Sequence, residues 1–210
     1  MGLKEKWIDA EKFPNTYPGG LMGRKDARKI FEQYKVTFVP SHLLGFLSYS
    51  LTSVFGDMER SRKTLYHIGR QIGRMVEELL TYGRVERPAE KFNDLNDVIR
   101  NHIGNLKVGL EAITGLPSGN IIMRVTEDLN KIRIRLIECP LCTSLKSMGY
   151  REVIWKIKEP MCDFYSGLFA GWTEHSIRNN IEVECEETRC QMADKHINFC
   201  EFLITLKRPE

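Results

Sequence analysis

Ile121-Ile122-Met123-Arg124-Val125 and Ile132-Arg133-Ile134-Arg135-Leu136-Ile137 are the runs whose reading decides the fold. The second alternates apolar and charged residues with the two-residue period of a strand that has one wet face. Ile132, Ile134 and Leu136 then point to a core, while Arg133 and Arg135 point to solvent. Between the runs, Asp128-Leu129-Asn130 supplies residue types that suit a tight turn. The pair predicts an antiparallel hairpin.

Upstream the period is helical. From Arg60 to Tyr82 the residues Leu65, Ile68, Ile72, Met75, Val76 and Leu79 recur at helical spacing opposite Arg62, Lys63, Arg70, Arg74 and Glu77. The first set predicts a core face and the second a solvated one. Gly69 and Gly73 each cost about 1 kcal/mol relative to alanine inside a helix, so a close neighbour, most simply another helix, is expected against them. Asn93 or Asp94 can cap a further helix from Leu95 towards His102, ending near Gly104, and Lys107 to Thr114 reads as an added strand closed by Leu116-Pro117-Ser118-Gly119. Nearer the N-terminus, residues 24–34 read as a short amphipathic helix or as a basic strand leading into Val36-Thr37-Phe38-Val39, and residues 41–55 as a helix. Pro14, Pro18, Gly19, Gly20 and Gly23 mark residues 1–23 as an arm ahead of a domain spanning residues 24–210.

Downstream, a helix from about Pro160 to Ile177 precedes strands near Ile181 to Glu187 and Phe199 to Leu206. This order predicts an α+β fold, with an antiparallel sheet packed against a helical layer.

Composition excludes several function classes. The 31 basic and 28 acidic residues leave a formal net charge of +3, too balanced for the one-sign field that tracks a phosphate backbone, so no nucleic-acid partner is expected. The most apolar run, Leu43 to Phe55, falls short of the roughly 20 residues needed to cross a bilayer. The N-terminal residues carry charges where a secretory signal needs an apolar core, so a cytoplasmic protein without membrane contact is expected. No phosphate-binding glycine loop, nucleophile elbow or paired-histidine zinc motif is present to specify a reaction.

The six cysteines then become the main clue. In a reducing compartment they are better explained as free thiols or metal ligands than as disulfides. Cys190 and Cys200 flank a polar loop between two strands, and Cys162 opens the last helix. Three thiolates and a carboxylate could enclose a soft ion, for which zinc suits better than magnesium or calcium. Spacing alone does not choose among Glu186, Glu187 and Asp194, and buried cysteine is also common simply as a small hydrophobe. Cys139-Pro140-Leu141-Cys142 has the spacing of a redox pair or of half a metal site, and these thiols could supplement or replace ligands of the C-terminal site. Tyr66, Phe164, Tyr165 and Trp172 could line an apolar pocket between helices and sheet.

Glu187-x-x-Cys190 with Cys200-Glu201-Phe202, the preceding run Met161 to Gly171, and Leu65-Tyr66-His67-Ile68-Gly69-Arg70-Gln71-Ile72-Gly73 together resemble the 4-vinyl-reductase domain family, over roughly Arg24 to Lys207. The resemblance implies that Cys162, Glu187, Cys190 and Cys200 bind structural zinc, as in the family's phenol-sensing regulators. It also implies a nearby pocket for a hydrophobic or aromatic molecule, a homodimer, and signalling to a protein partner in trans. Two other functions come with it: a catalytic or accessory part in tetrapyrrole vinyl reduction, and a scaffold role like that of Golgi transport tethering subunits.

Overall fold

The computed structural model describes residues 5–10, 13, 50, 56–81, 92–147, 162–177 and 181–208. The elements expected over 24–34 and 41–55, and the boundary after residue 23, lie outside these residues apart from Ser50. In chain order the elements are β1 (Trp7–Asp9), α1 (Met58–Thr81), α2 (Leu95–Thr114), a 3-10 turn (Ser118–Asn120), β2 (Ile121–Thr126), β3 (Lys131–Ile137), α3 (Pro140–Ser147), α4 (Asp163–Ile177), β4 (Glu182–Arg189) and β5 (Phe199–Lys207).

The strands form one antiparallel sheet in the order β1-β2-β3-β5-β4. The central hairpin has the expected register, with Ile121 opposite Leu136 and Val125 opposite Ile132. Its turn is closed by Asp128, whose Oδ1 accepts the Asn130 N–H at 3.2 Å, and Leu129 takes a φ of 59°. Ile132, Ile134 and Leu136 are fully buried. On the other face, Arg133 stacks over Trp7 of β1 at 4.0 Å, and Arg135 donates to Glu201 of β5 at 2.5 Å. Residues 7–9, read from the sequence as part of an arm, thus supply the edge strand beside β2.

The α+β class and antiparallel sheet are as expected, but two elements differ from the sequence reading. Lys107 to Thr114 is not a strand: α2 runs unbroken through Gly104 to Thr114. Val108, Gly109 and Thr114 weaken the local helical signal, yet Ile99, Ile103, Leu106 and Leu110 continue one buried helical face, and that tertiary burial prevails over propensity. The C-cap is Gly115 at φ 72°, and the N-cap is Asp94, which accepts the Asn96 N–H at 2.9 Å.

The second correction concerns the face of α1. Ile72 and Met75, expected in the core, are exposed. The buried edge is the narrower stripe of Ser61, Leu65, Gly69, Gly73 and Val76, recurring at three or four residues. A β-carbon on Gly73 would stand 2.1 Å from the Leu168 carbonyl oxygen, and one on Gly167 would stand 1.9 Å from that of Tyr66. Glycine on both helices therefore lets α1 and α4 pack backbone against backbone, as the cost of glycine inside a helix suggested. Such close packing narrows the contact and turns the flanking apolar residues outward.

Ion pairs border this seam. Arg62 forks onto Asp163 at 3.0 and 3.2 Å, while Arg70 and Arg74 both bind Glu174. The arginines read as wet thus fasten one helix to the other. Beneath them α4 lies on the sheet, its aromatic residues meeting Phe202 of β5.

Candidate metal centre

Five of the six cysteines converge at one end of the sheet, each delivered by a different local device. After β3, Glu138 takes a positive φ of 55° and its N–H binds the Asn198 carbonyl at 2.8 Å, which turns the chain into α3. Cys139 stands just before that helix and Cys142 lies in its first turn. Cys162 stands just before α4, where its carbonyl accepts the Tyr165 and Ser166 N–H groups. Cys200 projects from β5 beside Leu136.

Cys190 follows a register shift in β4 between Glu187 and Arg189. Such an irregularity re-aims the strand end. The Cys190 carbonyl then accepts the N–H groups of Ala193 and Asp194, folding the polar loop back towards β5. Buried Gln191 reaches the Cys139 carbonyl and the Thr143 hydroxyl, tying this loop to α3.

The sulfurs are close. Cys142 Sγ lies 3.2 Å from Cys162, 3.4 Å from Cys200 and 3.7 Å from Cys190. Cys162 lies 3.8 Å from both Cys139 and Cys200. Four sulfurs bound to one zinc ion at about 2.3 Å stand about 3.8 Å apart in a tetrahedron, so this spacing suits a single soft ion. Two four-donor groups have all their ligand atoms within 4.8 Å of one another: Cys139, Cys142, Cys162 and Cys200, and Cys162, Glu187, Cys190 and Cys200. The second is the set implied by the family resemblance, and the first contains the thiol pair left open in the sequence reading.

Burial and mutual hydrogen bonding split the ionisation of these groups unequally. Hydrogen bonds from Cys142, Cys162 and Cys200 hold the Cys190 thiol far below its usual range, while burial pushes Cys162 and Cys200 well above theirs. Burial and the neighbouring Cys190 also push Glu187 well above the carboxylate range. These groups cannot all ionise together without a positive charge among them. The Glu187 Oε2 accepts the Cys162 N–H at 2.8 Å, whereas its buried Oε1 has no partner. Cys185 stays outside the cluster, buried on β4.

The four aromatic residues expected at a pocket are only partly brought together. Phe164 packs edge-on to Tyr165, which stacks on Phe169, and Trp172 is fully buried with its ring against Gly109. These three belong to the core between α4, α2 and the sheet. Tyr66 is half-buried and lines an open groove of ≈ 700 Å³ with Arg62, His67, Arg70 and Asp163. The CxxC thiols were left open in the sequence as additions to the C-terminal site, and Cys142 does lie among its sulfurs; the arginine clasp on α4 was not singled out. Nothing local in the sequence pointed to that clasp.

No protein-family model matches the chain, and neither does any curated protein. A helical layer on a five-stranded antiparallel sheet is nonetheless a known fold, the one found in trafficking protein particle complex subunit 3. The crystal structure of that subunit from Naegleria fowleri, covalently bound to palmitic acid, superposes with a TM-score of 0.55 at 18% identity, covering 80% of this chain and 95% of that one. The phenol-responsive sensory domain of the transcription activator PoxR, with phenol, gives a TM-score of 0.48 at 15% identity over 81% and 76% of the two chains. A vinyl-4-reductase family protein from Methanocaldococcus jannaschii gives 0.45 at 17% over 88% and 92%. These are the kinds of protein named by the sequence resemblance. No helix among the described residues is long and apolar enough to cross a membrane.

Proposed function

We propose that the chain is a zinc-containing small-molecule-binding domain, sensory or carrier in role, that takes a hydrophobic or aromatic ligand. The observation that carries the reading is the convergence of buried thiols at spacings of 3.2 to 3.8 Å, which suit one tetrahedral ion. Cys162 and Cys200 belong to both four-donor groups; Glu187 with Cys190 completes the one that the family resemblance implies, and Cys139 with Cys142 completes the other. The ion's role is structural: it neutralises the thiolates, joins α3, α4, β4 and β5, and leaves no position open for an activated water.

The fold supports an apolar ligand, since the trafficking subunit that shares it holds palmitic acid. Tyr66, Phe164, Tyr165 and Trp172 are the proposed contacts. With the last three in the core, a ligand enters by parting α4 from its neighbours or binds on the Tyr66 side. Dimerisation, a protein partner acting in trans and a cytoplasmic setting complete the proposal. The shared fold also favours a second reading, a scaffold subunit that works within a complex without any free ligand.

Elemental mass spectrometry on untagged protein, purified without chelator, tests the metal. About one zinc per chain in the wild type, lost in Cys190→Ser, supports the proposal. A metal-free wild type overturns it.

A further inference from the structure

The fourth position of the metal site can be assigned from the sulfur geometry. Cys162, Cys190 and Cys200 lie within 4.8 Å of one another and form a triangular base. Cys142 Sγ stands 3.2, 3.7 and 3.4 Å from these three in turn, nearly equidistant, which is where the apex of a tetrahedron falls. Glu187 is engaged through one oxygen: its Oε2 accepts the backbone N–H of Cys162, while its buried Oε1, without a hydrogen-bond partner, is the donor that competes with Cys142. The Oε2 bond needs no ion, and it holds the start of α4 in place.

We infer that the ion of the proposed site is held by four thiolates, Cys142, Cys162, Cys190 and Cys200, with Cys142 in the position that the family resemblance gives to Glu187. The inference deepens the zinc reading and rests on it. Three arguments converge. A soft ion prefers a fourth sulfur to a carboxylate oxygen when both are within reach. A thiol placed at the apex would also crowd the other three sulfurs if it were not a ligand. Finally, spacings of 3.2 to 3.8 Å leave room for one ion and not for an iron–sulfur cluster, which interposes its own sulfides between the cysteines.

The remaining groups then become positioning residues. Glu187 orients Cys162 through its backbone. Cys139 stands just before α3, where its carbonyl accepts the Thr143 N–H at 2.8 Å and closes the turn that presents Cys142. The CxxC motif thus serves the C-terminal site, with one cysteine as ligand and the other as support, and is not a separate redox pair.

X-ray absorption at the zinc edge, on the full chain as purified, reads the number of sulfurs directly. Four sulfurs at about 2.3 Å with no oxygen are expected in the wild type. Glu187→Gln keeps both the ion and the four sulfurs, because the amide oxygen can still accept the Cys162 N–H. Cys139→Ser also keeps four, whereas Cys142→Ser falls to three. Three sulfurs and one oxygen in the wild type overturn the inference while leaving the zinc reading intact, and so does loss of the ion in folded Glu187→Gln. Four sulfurs surviving in Cys142→Ser overturn it as well. A wild type without metal overturns the zinc reading itself, so the two failures are distinct. The wild-type and Glu187→Gln spectra decide the question even if Cys142→Ser does not fold.

Discussion

A β-carbon placed on Gly69 would stand 2.1 Å from the carbonyl oxygen of Phe164, so α1 and α4 meet there through their backbones. The neighbouring atom is main chain and cannot rotate away as a side chain would. Gly69→Ala therefore has to push the two helices apart, and Gly167→Ala does the same from the other side. Each is expected to cost about 2–3 kcal/mol in urea unfolding, the upper range for overpacking. Gly119→Ala, where nothing lies within 4 Å, should be close to neutral. A wild-type midpoint for Gly69→Ala would refute the described seam.

His102 carries a pH signature. It is fully buried on α2, with Nε2 3.0 Å from the Thr173 hydroxyl, and burial lowers its pKa to about 3. The unfolded chain titrates near the ordinary histidine value, about 6.5. Because the folded value is depressed, the neutral ring's contribution is whole above about pH 6.5 and is lost progressively as pH falls towards 3. Between pH 6 and 4 this one group should steepen the fall in unfolding free energy by up to about 1.4 kcal/mol per pH unit. His102→Leu should flatten the slope by up to one proton in parallel urea titrations. An unchanged slope would mean that the ring is protonated in the folded protein.

The clasp on α4 predicts a lower pH window. Burial raises the Glu174 pKa, but hydrogen bonds from Arg70 and Arg74 lower it further, and the net direction is down. Its contribution is therefore present above the ordinary glutamate value of about 4.3 and is lost as pH falls through the depressed folded value. Glu174→Gln should cost about 1 kcal/mol at pH 7, the group being only partly shielded from solvent. The gap between variant and wild type should close as the pH drops below 4. A gap that persists undiminished at pH 2 would point to packing and not charge as its source.

How much of this was legible in the sequence depended on whether the deciding signal was local. The β2–β3 hairpin was legible because the alternation from Ile132 to Ile137 and the turn at Asp128 each carry their own signature. Gly69 and Gly73 announced a close neighbour, since a helix interior retains glycine at a cost only for some tertiary reason. The last turns of α2 were not legible: residues 107–114 look extended locally, and burial of Leu106 and Leu110 with Trp172 against Gly109 decides their conformation. Ile72 and Met75 were placed in the core because periodicity identifies a helix before it identifies which edge is buried. The thiols were visible as two groups, Cys139 with Cys142 and Cys162 with Cys190 and Cys200. Their junction depends on the turn at Glu138 and the register shift after Glu187, and neither has a sequence marker.

Cys185 and Cys200 provide a paired test of whether the sulfur cluster, and not thiol burial in general, supports the fold. Both are buried and both lie on adjacent strands, Cys185 on β4 opposite Ile204 and Cys200 on β5 opposite Leu136. Only Cys200 has sulfur neighbours, at 3.4 and 3.8 Å. Cys185→Ala should thus behave as a modest core truncation, costing about 1 kcal/mol and retaining the metal. Cys200→Ala removes a donor shared by both candidate four-donor groups, so it should lose the ion and the cross-link among four elements. For a chain of this size the expected fall in Tm is on the order of 10 °C or more, and chelator should produce a similar fall in the wild type but none in Cys200→Ala. Equal losses for the two alanine variants, with chelator inert in the wild type, would identify the cluster as ordinary apolar packing.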